Sequence, residues 1–238
     1  MIKFLRRAVG KIMHIFQIRV ARIFSTKGRV LMLHWIGDEV QDEETEPFRI
    51  SVEQFEKLVR WLMHKNSIRL EKWETSHDFY ALTIDDVPEN FYQNAYPILK
   101  ESHIPFTVFV NISLLDHVGF ITTEQLVEMS QCEFCTIGAH GISHGEFALL
   151  NREQAVRELK DSKSILENIV NKQVDLFAFP YGSYSACGYF NKHLAGEIYK
   201  YAFGTVACPI TKPSLLKKYF LPRINVDVKL LSSILCGQ

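Results

Sequence analysis

Apolar and polar positions repeat with two different periods along this chain. Six short runs are rich in aromatic and β-branched residues, as strands are: Val30 to His34, Phe79 to Asp85, Phe106 to Val110, Phe134 to Ala139, Leu176 to Phe179 and Ala202 to Val206. Between them the period lengthens to that of a helix. Phe55, Leu58, Val59 and Leu62 recur at i, i+3, i+4 and i+7 behind Ser51, a residue type suited to cap a helix start. A second helix is predicted from Pro88, a good first helical residue, to about Ser102, and the longest from near Asn151, with Val156, Leu159, Leu166 and Ile169 on one stripe. Strands alternating with helices predict one α/β domain with parallel strands. Residues 38 to 46 hold six acidic residues in nine and no apolar pattern beyond Val40, which predicts an exposed loop.

The first two dozen residues follow a different pattern. Leu5, Val9, Ile12, Phe16, Val20 and Ile23 share one helical face and Lys3, Arg7, Lys11, His14 and Arg22 the other, with Ile18 and Arg19 as exceptions. A basic amphipathic helix over residues 1 to 24, lying on an anionic membrane surface, is one reading; a helix packed on its own domain or on a partner is the other. The apolar runs are too short and too often charged to span a bilayer, and no cleavable signal pattern follows. The expected location is therefore cytoplasmic, at the inner face of the membrane. Charge sharpens the division: 27 basic and 27 acidic residues cancel, yet eight of the basic ones precede the first acidic residue, Asp38. The rest of the chain is net acidic, which argues against a nucleic-acid partner.

Length and composition change the picture little. A chain of 238 residues holds one domain with a sizeable core, and 47% hydrophobic with 23% charged residues gives no hint of disorder, collagen or a polytopic membrane protein. Five cysteines, an odd number, make a disulfide framework a poor reading and a reducing compartment a better one. Cys132 and Cys135 form a C-x2-C pair, but no second pair at zinc-site spacing completes a set of four ligands.

Candidate chemistry lies at strand ends. Ala81-Leu-Thr-Ile-Asp85-Asp86-Val-Pro88 is an apolar strand that closes on two carboxylates, where Pro88 forces a change of course. Paired carboxylates there can bind a metal or divide labour as ligand and base; a turn with one capping aspartate is the plainer alternative. His140 and His144, four apart after another strand, can converge on one ion, and with one carboxylate they make a three-ligand site with an open position. Phe179-Pro-Tyr181-Gly places a turn at a third strand end, where backbone N–H groups can face a ligand. Tyr184 could line a sugar site or pack. His34, Asp85, Asp86, His140 and Tyr181 all fall at carboxyl ends of predicted strands, the rim on which barrel active sites assemble. His64, His103 and His193 sit in or beside predicted helices and read as surface or helix-end residues.

These motifs resemble the polysaccharide deacetylase family, the NodB-homology or carbohydrate esterase family 4 enzymes. Thr83-Ile-Asp85-Asp86 is similar to its T-[FI]-D-D motif, His140 to His144 to its H-x3-H motif, and Phe179-Pro-Tyr181-Gly to its third motif, over roughly residues 30 to 228. The resemblance implies a distorted, incomplete (β/α) barrel over residues 29 to 238, behind the N-terminal amphipathic helix of residues 1 to 28. It also implies that Asp85 is the general base, that Asp86, His140 and His144 hold a divalent transition metal, zinc being the expected ion, and that the Tyr181 backbone N–H stabilises an oxyanion.

Departures from the family pattern are specific. Gly141 stands where a Ser or Thr usually follows the first histidine, the arginine before the Pro-Tyr-Gly motif is absent, and neither the Asp-Trp nor the C-terminal Leu-x-His motif is found. Leu31-Met-Leu-His34 resembles instead the N-terminal element of the permuted poly-N-acetylglucosamine deacetylase branch, which implies His34 as general acid. Leu221-Pro-Arg223 resembles a C-terminal element of that branch and implies Arg223 beside Asp85. The function implied is metal-dependent N-deacetylation of an N-acetylated sugar in a surface glycan or its precursor, releasing acetate. A deformylase or O-deacetylase acting on a lipid- or nucleotide-linked sugar would use the same motifs, and an inactive glycan-binding or scaffold homologue is the alternative of another class.

Overall fold

The computed structural model of this chain describes residues 26–38, 48–212, 214 and 218–236, together with residues 11 and 12. The amphipathic helix expected before residue 25 and most of the acidic loop lie outside the described residues. Six parallel strands form the frame in chain order: β1 (Thr26–Leu33), β2 (Phe79–Asp85), β3 (Phe106–Val110), β4 (Cys135–Ala139), β5 (Leu176–Ala178) and β6 (Tyr201–Phe203). The segment after β6 returns to the start of the sheet. Leu221 bridges Phe203, and Ile224–Asn225 pairs parallel with Leu31 and Met32 of β1. The sheet thus curls into an incomplete, distorted (β/α) barrel, with helices on its outer face.

Alternation along the strands sorts the core into two clusters. Phe79 and Ala81 of β2, Phe109 of β3, Leu176 and Ala178 of β5, and Leu221 fill the barrel interior with Val30, Trp73 and Phe203. The intervening residues, Leu82 and Ile84, Val108 and Val110, Ile137 and Ala139, Phe177 and Phe179, pack outward under the helices. Two glycines on interior positions leave room for rings. A Cβ on Gly28 would stand 2.4 Å from the Phe79 ring, and one on Gly138 would stand 2.6 Å from that of Phe109.

Three helices start on a side-chain cap, of which the Ser51 cap is expected from the sequence. α1 (Val52–Met63), α2 (Thr123–Gln131) and α3 (Arg152–Val170) each start with a reciprocal capping box, Ser51 with Gln54, Thr122 with Gln125 and Asn151 with Gln154. Several boundaries differ from expectation: the run expected over Ala202 to Val206 is strand only over Tyr201–Phe203, and β4 and β5 are each one residue shorter than expected. β1 starts at Thr26, four residues before the predicted run, because Thr26 and Gly28 pair with Thr211 and Ile210 at the sheet edge. The helix expected from Pro88 begins at Glu89, since Pro88 bridges Phe120, and it widens into a π turn over Phe91–Ala95 before Tyr96–Glu101. Asn90 and Asn94 on that stretch bond the backbone of Ile36, tying down the chain that follows His34.

Candidate active site

The interior-facing series of three strands end on a polar residue, and the bridge residue Leu221 leads to a fourth just before the strand Ile224–Asn225. Gly28, Val30 and Met32 lead to His34; Phe79, Ala81 and Thr83 lead to Asp85; Thr136 and Gly138 lead to His140; Leu221 leads to Arg223. Period-two alternation therefore aims His34, Asp85, His140 and Arg223 into one space. Arg223 is fully buried and meets Asp85 as a fork, Nη1 to Oδ1 at 2.6 Å and Nη2 to Oδ2 at 2.7 Å. Its Nε donates to the Gly204 carbonyl, its Nη1 also reaches Thr83 Oγ1, and its Cζ lies 5.0 Å from the centroid of the Phe109 ring. Burial alone would raise the Asp85 pKa, but the charges of Arg223 and His140 outweigh it and hold the carboxyl down to about 2.

Alternation would send Asp86 to the opposite face, and left-handed backbone prevents it. Asp86 and Val87 have φ of 60° and 52°, a conformation that costs non-glycine residues about 1–3 kcal/mol each, most of all a β-branched valine. The turn is held by Asp86 N–H to Phe109 O at 3.1 Å, Val87 N–H to Asp85 O at 2.7 Å and complete burial of the Val87 side chain. His144 and Tyr181, at φ of 53° and 58°, share this strained conformation. Gly182, at φ 60°, admits no Cβ, which would stand 2.2 Å from Thr205 Oγ1.

Asp86, His140 and His144 come together with one potential ligand atom each, all within 4.8 Å of one another. The donor chemistry fits a cation. His140 Nδ1 lies 2.8 Å from the Ala178 carbonyl, which accepts its proton and leaves the Nε2 lone pair free. Asp86 Oδ1 is buried without a hydrogen-bond donor; the imidazole Nε2 atoms of His140 and His144 stand 3.8 and 3.4 Å away. Burial lowers the pKa of both histidines, so the imidazoles are neutral at neutral pH, as ligands must be. Burial raises Asp86 to about 6, with His140 opposing it and Asp85 adding to it. Such a carboxylate gains by meeting a positive charge.

The remaining candidates stand around this centre. His34 follows β1 directly; burial pushes its pKa down to about 4, against the pull of Asp85, and its Nδ1 is buried without a partner. Phe48 covers it at a ring distance of 5.1 Å. The Tyr181 ring lies 5.0 Å from that of His144 and is exposed. Tyr184 is buried against Phe220 and takes the packing role of the two open to it. His64 caps the end of α1, His103 rests on Phe134 and His193 lies beside Tyr189, all away from the centre. Two residues of the site escape sequence reasoning. Asn111, fully buried, donates to the His140 carbonyl, and Glu158 of α3 accepts the N–H groups of Ile142 and Ser143.

With this geometry in view, comparison with known proteins is informative. Residues 72–188 match the family model described as polysaccharide deacetylase. YxkH of Bacillus subtilis (strain 168), named for the same family, is 29% identical over 148 residues, a match that spans 58% of this chain and 52% of that protein's length. The poly-beta-1,6-N-acetyl-D-glucosamine N-deacetylase of Staphylococcus aureus (strain MSSA476) is 27% identical over 214 residues, covering 78% of this chain and 70% of that one. Among solved structures, the Streptococcus pyogenes deacetylase PplD in complex with acetate superposes with a TM-score of 0.75 at 21% identity, over 90% of this chain and 98% of that one, and so shares the fold.

Proposed function

Because the chain belongs to the polysaccharide deacetylase family, we propose that it removes the N-acetyl group from an N-acetylated sugar of a surface glycan or its precursor, with one divalent metal ion, zinc as first choice. The observation that carries this reading is the cluster of Asp86, His140 and His144 beside an ionised Asp85. The name of the staphylococcal relative supports an N-acetylglucosamine substrate. Three protein ligands leave a coordination position open, as hydrolytic rather than structural sites do. A metal ion held there would lower the pKa of a water molecule and polarise the acyl carbonyl.

The chain's own residues do the rest. Asp85 is ionised throughout the working pH range, oriented by the Arg223 fork, and accepts the proton of the attacking water. The Tyr181 N–H, on a rigid strained turn, faces the oxyanion, so no reorganisation is needed as charge develops there. His34, buried within electrostatic reach of Asp85, is the group that protonates the departing amine. Acetate and a free amino sugar result.

His144→Ala tests the ligand set. The parent protein is expected to retain roughly one zinc per chain after dialysis, and the variant far less, by elemental analysis. A variant with undiminished metal would remove His144 from the centre.

We also propose that residues 1 to 24 hold the protein reversibly on the inner, anionic face of the cell membrane. What supports this is their charge, each basic side chain near such a surface adding about 1 kcal/mol, together with the apolar face of Leu5, Val9, Ile12, Phe16, Val20 and Ile23. Among the described residues no helix is long and apolar enough to cross a membrane. Deleting residues 1 to 24 is expected to release the protein from anionic liposomes at low salt while it still deacetylates short soluble sugars. Full-length protein that ignores such liposomes would end this proposal, as would a truncated protein that no longer folds.

A further inference from the structure

We propose that Glu158 is the positioning residue of the metal-binding loop, acting on metal affinity through His144; the inference rests on the reading of Asp86, His140 and His144 as ligands. Residues 141 to 143 connect the two imidazoles and lie against the flank of α3. One oxygen of Glu158, Oε2, accepts both the Ile142 N–H at 2.6 Å and the Ser143 N–H at 3.1 Å. Two successive backbone donors converging on one carboxylate oxygen form a strong anchor, since bonds to an ionised acceptor are shorter and stronger than neutral ones. The same oxygen stands 3.1 Å from where a Cβ of Gly141 would lie, and Gly141 has φ +80°. The loop thus has its close approach to Glu158 built into its backbone.

The opposite edge of the loop is already fixed. The carbonyls of Gly141 and Ile142 accept the N–H groups of Ile112 and Ser113, and Asn111 orders that neighbouring turn through Ser113. His140 is independently secured, by its place at the end of β4 and by the Ala178 carbonyl. His144 is less secured: it is partly exposed, in strained left-handed backbone, and among the described residues the side chains its ring meets are Asp86, His140 and Tyr181. Its position depends on the loop that leads to it, and Glu158 holds the N–H edge of that loop. A carboxylate that orients a ligand-bearing segment without touching the metal belongs to the outer shell, whose loss weakens metal binding about 10- to 100-fold.

The test uses full-length protein stripped with a chelator and titrated with zinc against a chromophoric competitor. Glu158→Ala is expected to weaken zinc about tenfold or more. Glu158→Gln should stay within about threefold of the parent, because one amide oxygen can accept both N–H groups. Glu158→Asp keeps the charge but shortens the reach; it should show the loss and stands in should the alanine variant fail to fold. Turnover at saturating zinc should approach the parent's in every variant that folds. Parent-like zinc affinity in Glu158→Ala or Glu158→Asp would overturn the proposal, and so would a glutamine variant as weak as the alanine one, since charge rather than loop placement would then be at work. A parent protein that binds no zinc would overturn the metal reading itself, a result distinguishable from failure of the Glu158 role alone.

Discussion

Asp85→Asn is expected to keep its metal and lose turnover by about three orders of magnitude, within the range by which positioned acid–base groups accelerate reactions. The carboxylate lies inward at the end of β2, between the Arg223 fork and His140, whose Nε2 is 3.8 Å from Oδ2. An asparagine fills the same space and can accept from Arg223, but it cannot take a proton from water. The three proposed ligands, Asp86, His140 and His144, are untouched, so zinc content should match the parent's. Removing one charge of a buried pair also lowers stability, so kcat is to be measured at a temperature where calorimetry shows the variant folded. A folded, zinc-loaded Asp85→Asn with undiminished kcat would end the assignment of Asp85 as base.

Arg223→Met should be the most destabilising single change at the centre, by about 3–5 kcal/mol, because it leaves the buried Asp85 carboxylate without its counter-charge. The pH dependence gives the prediction a sign. In the parent, Asp85 is held from 3.8 down to about 2, so its contribution to stability is present above its unfolded pKa and is lost as pH falls toward 2. Without Arg223 the effect of burial is opposed only by the weaker pull of His140 and His34, and the folded pKa moves upward. A raised folded pKa favours the native state in acid, so the deficit of the variant should shrink between pH 7 and pH 5. Asp85→Asn/Arg223→Met, which removes both charges, should recover part of the loss. Urea unfolding of the four proteins at both pH values is the measurement; a deficit below about 1 kcal/mol at pH 7 would mean the pair is not the buried, mutually dependent unit described here.

Much of the frame is legible from strand periodicity, and the reason is local. β2 and β3 have the predicted limits because their alternation begins and ends with their pairing. The start of β1 is hidden because Thr26 becomes strand by pairing with Thr211, and Gly28 by pairing with Ile210 on one side and Phe79 on the other. The π turn at Phe91–Ala95 accompanies amide contacts from Asn90 and Asn94 to Ile36, a partner more than fifty positions away. At the site, Asp85 and His140 are readable as polar ends of inward-facing series. Asp86 is not readable in that way, since its direction depends on two consecutive left-handed residues that no propensity favours. Arg223 is reached through family resemblance alone, 138 positions from its partner. Glu158 gives no signal: on an amphipathic helix a half-buried glutamate looks like any other surface acid, and its two backbone partners lie on a different element.

The central claim is that this centre hydrolyses an acetamide with a metal ion held by Asp86, His140 and His144. Its most direct test is release of acetate and free amine from oligomers of N-acetylglucosamine by chelator-stripped protein, before and after zinc is added back. The account predicts no release from stripped protein, and restoration on adding roughly one equivalent of zinc, with acetate and amine appearing in equal amounts. Release that persists at full rate in stripped protein, or zinc-loaded protein that liberates no acetate from any N-acetylated sugar, would contradict it.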